Sequence, residues 1–86
     1  MRNIRLIENG VKIGEQVFKI GDIVKAVDEN GKTQFKGRVK FGVYLDGEGA
    51  FDDYHLGFYV EDIKFPESRW TLIDFVDEWK VIKIKE

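Results

Sequence analysis

The chain has no cysteine. That excludes a disulfide, a thiolate zinc site and a cysteine nucleophile, and it suits a cytoplasmic setting. It also has a single histidine, His55, a single serine, Ser68, and two threonines, Thr33 and Thr71. A serine–histidine triad needs a nucleophile on a sharp strand-to-helix turn, and none of these three hydroxyls stands in such a context. No apolar run approaches the roughly 20 residues that span a bilayer. Met1-Arg2 leads into no apolar stretch, so no signal peptide is expected. The one proline, Pro66, marks a break, and it biases the preceding Phe65 to an extended form. A basic excess is missing too, for the net charge is −2 and the isoelectric point near 5.4.

What is present is unevenly spread over 86 residues, a length that fits one domain, taken as 1–86. Residues 1–40 carry nine basic and five acidic side chains, residues 41–79 two and ten, and residues 80–86 three and one. Strands from the basic ends lying beside the acidic middle would turn this imbalance into ordinary cross-strand pairs. Ten of the twelve aromatic rings fall between Phe41 and Trp79. A domain this small buries only about 60–65% of its unfolded surface, so some rings are expected on the outside, at a partner site or a dimer contact.

The pattern along the chain is mostly period two. Ile4 and Leu6 share one face of a short strand. Asn9-Gly10 then turns the chain, Val11-Lys12-Ile13 alternates again, and Gly14 ends the hairpin. Phe18 and Ile20 share a face, and the β-branched Ile23, Val24 and Val27 favour a pleated sheet after a break at Gly21-Asp22. Asp28-Glu29-Asn30-Gly31 is the strongest hairpin signal. Gly37 suggests a bulge or bend, and Gly57 room for a neighbouring backbone or ring. Val39, Phe41 and Val43 alternate against Arg38, Lys40 and Gly42, which predicts one buried and one basic face. Residues 45–54 read as an exposed acidic loop. Leu56, Phe58 and Val60 alternate with His55, Gly57 and Tyr59 in the next strand. From Ser68 the period changes: Leu72, Phe75, Val76 and Trp79 follow one helical face, with Ser68 as the cap. Lys80–Lys85 alternates again as a closing edge strand whose lysines discourage aggregation. The expected fold is mainly β, a small SH3-like or related barrel of five to seven short strands with at most one short helix near the C-terminus.

Several segments resemble the YopX family of phage and prophage proteins: Ile20-Gly21-Asp22-Ile23-Val24-Lys25, Gly37-Arg38-Val39-Lys40-Phe41-Gly42, His55-Leu56-Gly57-Phe58-Tyr59-Val60-Glu61, and the closing Trp79–Ile84. The likeness covers roughly residues 19–84. The aromatic, basic opening usual in that family and its Asn-Pro-rich tail do not occur here. The resemblance implies a β-rich, barrel-like domain from a bacterium or its phage. It brings no catalytic residues with it.

Chemistry finds little footing in the residues. Asp46, Glu48, Asp52 and Asp53 cluster in the acidic loop, but their spacing fits no calcium loop, and the loop reads as solvated. The glycines form no phosphate-binding motif. No metal and no cofactor is expected. The functional expectation is a non-catalytic binding module that contacts another protein or a second copy of itself. The candidate contact rings are Tyr44, Phe51, Tyr54, Tyr59 and Trp70, which flank the loop or fall off the alternating core faces. The alternative is a small nucleic-acid-binding barrel whose basic strand face is Lys36, Arg38 and Lys40, with Lys25 and Lys32 nearby.

Overall fold

The computed structural model describes residues 3–46 and 53–84. The element order is β1 (Ile4–Ile7), β2 (Gly10–Ile13), β3 (Gln16–Lys19), β4 (Ile23–Val27), β5 (Thr33–Asp46), β6 (Asp53–Asp62), β7 (Arg69–Thr71), α1 (Leu72–Glu78) and β8 (Lys80–Ile84). The mainly-β expectation with one short C-terminal helix holds, although the described strands number eight rather than five to seven. They form a three-stranded meander, β1-β2-β3, and a five-stranded sheet in the order β7-β6-β5-β4-β8, with every pairing antiparallel. Among the described strands, no pairing joins the two sheets and none joins β7 to β8, so the sheets are not closed into a barrel.

Turn chemistry sets the registers. Asn9 takes φ 58° between β1 and β2, a conformation that asparagine tolerates. Gly10 already lies in β2, and a Cβ there would overlap the Phe18 carbonyl oxygen. The Asp28–Lys32 turn forms as its sequence predicts. The Asp28 carboxylate accepts from the backbone N–H groups of Asn30 and Lys32 at 2.9 and 3.0 Å and from Gln34 Nε2 at 2.8 Å, while Gly31 supplies φ 79°. The irregularity expected at Gly37 falls earlier instead: Ala26 pairs with Phe35 and Val27 with Thr33, so Gln34 is the extra residue. Gly37 answers a different need, for a Cβ there would overlap Val60 Cγ1 on β6. At Gly57 an added Cβ would meet nothing within 4 Å, so close approach does not explain that glycine.

The core lies between the sheets and under α1. Val11, Ile13 and Phe18 come from the meander, and Val24, Ala26, Val39, Val60 and Val81 from the larger sheet. Leu72, Phe75 and Val76 are the buried face of α1. Phe35, Trp70 and Trp79 pack against that cluster, with Phe35 5.1 Å from Trp70 and 5.4 Å from Trp79 between ring centroids. Gln16 Nε2 donates to the Val81 carbonyl at 2.9 Å and ties the two sheets together. Ser68 does not cap the helix. Residues 69–71 form β7 first, and Ser68 instead shapes the preceding turn through its N–H to the Phe65 carbonyl. Asp62, the one buried charged residue among those described, organises the same turn by accepting from the N–H groups of Lys64 and Phe65 at 2.8 and 3.0 Å. Among the described residues, no helix is long and apolar enough to cross a membrane.

Candidate functional site: an uncovered strand pair

β5 and β6 stay paired from Gly37↔Asp62 to Asp46↔Asp53, well past the strands that flank them. β4 leaves β5 at Arg38, and β7 pairs with β6 only at Tyr59–Glu61. The outer half of the pair is therefore a two-stranded arm. Strand alternation puts Val39, Phe41, Val43 and Leu45 on the same side as their partners Val60, Phe58, Leu56 and Tyr54. None of these eight positions is charged.

The arm's apolar side is buried at its root and exposed beyond it. Val39 and Val60 are fully covered by the core. Phe41 is 51% exposed, Val43 64%, Leu56 71% and Tyr54 74%. The buried face expected across Val39, Phe41 and Val43 is thus corrected after its first residue: alternation continues, but among the described residues no layer of the fold extends over it. A groove of about 540 Å³ runs beside this surface, bounded by Ile4 and Leu6 of β1, by His55–Phe58 of β6 and by Thr71–Asp74 at the start of α1.

The predicted contact rings separate into distinct settings. Tyr54 is exposed on the apolar side of the arm. Tyr44 and Tyr59, expected at the surface, are buried at 4% and 9% exposure. Both lie on the opposite side of the strand pair, with ring centroids 4.7 Å apart, and the Tyr44 hydroxyl hydrogen-bonds the Thr71 hydroxyl at 2.8 Å. Falling off one alternating face placed them on another covered one. Trp70 is half-buried between Phe35 and Phe75 and belongs to the core's edge. Phe51 lies outside the described residues. The residues sequence reasoning missed are Phe41, Val43 and Leu56, since an apolar alternating strand reads as core unless the length of its neighbours is known.

The basic face is partly assembled. Lys36 and Arg38 are exposed on one side of β5, with Lys25 opposite Lys36. Lys40 is drawn away from that role. Its Nζ lies 3.1 Å from Glu61 Oε1, and Arg69 lies 3.7 Å from the other oxygen of the same carboxylate. Of the acidic loop, Glu48 and Asp52 lie outside the described residues, and Asp46 and Asp53 are backbone partners at the far end of the arm. Among the described residues, no group of three histidine or acidic side chains is placed to hold a metal ion.

No family model matches the chain, and neither a curated protein nor a solved structure matches it.

Proposed function

We propose that the protein is a non-catalytic binding module that engages a protein through the apolar side of the β5–β6 arm. The observation that carries this reading is the uncharged, largely exposed surface of Phe41, Val43, Tyr54 and Leu56 on a regular strand pair. A monomeric protein rarely exposes a contiguous apolar patch beyond a few hundred Å², and such patches mark interaction sites. The segments similar to the YopX family support placing it among small phage or prophage accessory proteins, as an open relative of the SH3-like barrels.

The test is affinity capture from infected or lysogenic bacterial cells with the parent chain and with Leu56→Lys. Leu56 supports no core packing, so the charged variant keeps its fold and loses the captured protein. Equal capture by both chains overturns the assignment of this face.

A further inference from the structure

We propose that the partner of this arm is a second copy of the chain, stacked face to face so that the apolar side of each arm becomes the cover of the other. The inference rests on the binding role of the arm and names its occupant.

The first argument is a layer that ends early. Val39 and Val60 face the core, and Phe58 packs against it. Phe41, Val43, Leu45, Tyr54 and Leu56 continue the same side of the same two strands, yet they stay 39% to 74% exposed. Sheets stack about 10 Å apart with their strands nearly aligned. What would complete the stack over the arm is a regular, uncharged strand pair of the arm's own length. The other copy's arm is such a pair.

The second argument is symmetry and charge. Two stacked copies are related by a two-fold axis lying between the sheets, and the contact closes at two subunits. An axis along the strands would set the Asp46–Asp53 ends of both arms together and crowd four acidic positions. An axis across the strands keeps those ends apart. Placed over the Val43–Leu56 pair, it lays β5 on β5 and β6 on β6 in opposite directions. Val43 and Leu56 then meet their own copies. Phe41 lies over Leu45 of the other arm, and Phe58 over Tyr54, a ring contact of the favourable kind. None of these six residues is charged. The pairs Gly42–Gly57 and Tyr44–His55 belong to the opposite side of the arm and take no part.

The third argument is area. At about 150–250 Å² for a fully exposed residue of this size, the five exposed residues offer roughly 550 Å² per copy. Stacking covers this surface on both copies, about 1,100 Å² in all. That clears the roughly 1,000 Å² of a specific contact and stays below a standard one, the size of a dimer that exchanges with its monomer. Ile4 and Leu6 of β1, also exposed, border the same groove as Phe41 and Phe58 and extend the apolar surface there.

Sedimentation velocity of the full chain from micromolar to near-millimolar concentration should show a monomer giving way to a dimer. Leu56→Lys and Val43→Lys each set two lysines against one another at the axis. Each should weaken dimerisation about tenfold or more while leaving the circular-dichroism spectrum unchanged. Ile82→Lys, on β8 and away from the arm, should leave the dimer as it is. Because the chain has no cysteine, single-cysteine variants then locate the contact. A short bifunctional thiol reagent should join two Val43→Cys chains, as it should two Leu56→Cys chains, and leave Ile82→Cys chains unjoined. A chain that stays monomeric throughout, or equal joining of all three cysteine variants, overturns the inference. So does a dimer that tolerates Val43→Lys, even one weakened by Leu56→Lys, since Val43 is central only when the faces stack. A monomeric chain whose capture of another protein is lost in Leu56→Lys overturns the second-copy inference alone and leaves the binding role of the arm standing.

Discussion

At the scale of single residues, short polar side chains hold the connections while the strands supply the mass. Asp28 is the clearest case. Its carboxyl is held below its ordinary value of 3.8, first by the Lys32 backbone N–H and further by the N–H of Asn30 and the amide of Gln34. These donors all favour the ionised form, so the fold binds that proton less tightly than the unfolded chain does. The stabilisation is therefore fully present above the ordinary carboxyl value and is lost as pH falls through the lower, folded one. Urea unfolding of the parent and of Asp28→Ala should differ by a constant amount near neutrality, and the gap should close below pH about 4. A gap that widened in acid would reverse the assignment. The sequence announced this turn because Asp-x-Asn-Gly carries its conformation in its own side chains. Tyr44 shows the opposite. Nothing local in Val43-Tyr44-Leu45 states that the Tyr44 hydroxyl will meet Thr71, 27 positions away, and so its burial was not legible.

At the scale of elements, period gave the faces and tertiary neighbours gave the burial. The alternation in β5 and β6 was read correctly, and their pairing places Val39 with Val60 and Phe41 with Phe58, whose rings meet at 4.8 Å. The first pair is fully covered; in the second, Phe58 still packs against the core but Phe41 is half exposed, because β4 and β7 end before it. No sequence period records where a neighbouring strand stops. The helix repeats the lesson in reverse. Leu72, Phe75 and Val76 were found from their 3.6-residue spacing, yet Ser68 lost its capping role to β7, a strand of three residues too short to show a period. A paired measurement separates the two situations. Phe75→Ala empties a site that is 1% exposed and should cost about 3–5 kcal/mol in denaturant unfolding. Val43→Lys, in an equally apolar run, should change the stability of the monomer by less than about 0.5 kcal/mol. A large loss in the second variant at low protein concentration would mean that the arm is covered within one chain.

At the scale of the whole molecule, the two sheets share a core but remain open, and the charge is sorted between surfaces rather than neutralised everywhere. This bounds the nucleic-acid alternative. Lys36, Arg38 and Lys25 lie together on the larger sheet. Lys40 and Arg69 both spend their charge on Glu61, and Lys83 lies 3.6 Å from Asp22. Ion pairs at a partly solvated surface like these add little to stability. They do lower the positive potential that a phosphate backbone would meet. Three cations neutralise at most three phosphates, and each is worth a slope of about −0.7 in log affinity against log salt for a single strand. Fluorescence anisotropy with a labelled single-stranded DNA should therefore show weak binding at low salt, with a slope no steeper than about −2. Lys36→Glu with Arg38→Glu should abolish it. A steeper slope would require a larger basic surface than this sheet presents. Binding that survived the double substitution would place the nucleic-acid contact elsewhere on the molecule. Either result would shift the functional argument from the uncharged arm to the charged face. The arm's own test is independent of salt in this range, because apolar burial, unlike phosphate contact, releases no counterions. A titration series in salt thus separates the two surfaces: DNA binding should fade as salt rises, and capture of a protein through the arm should not.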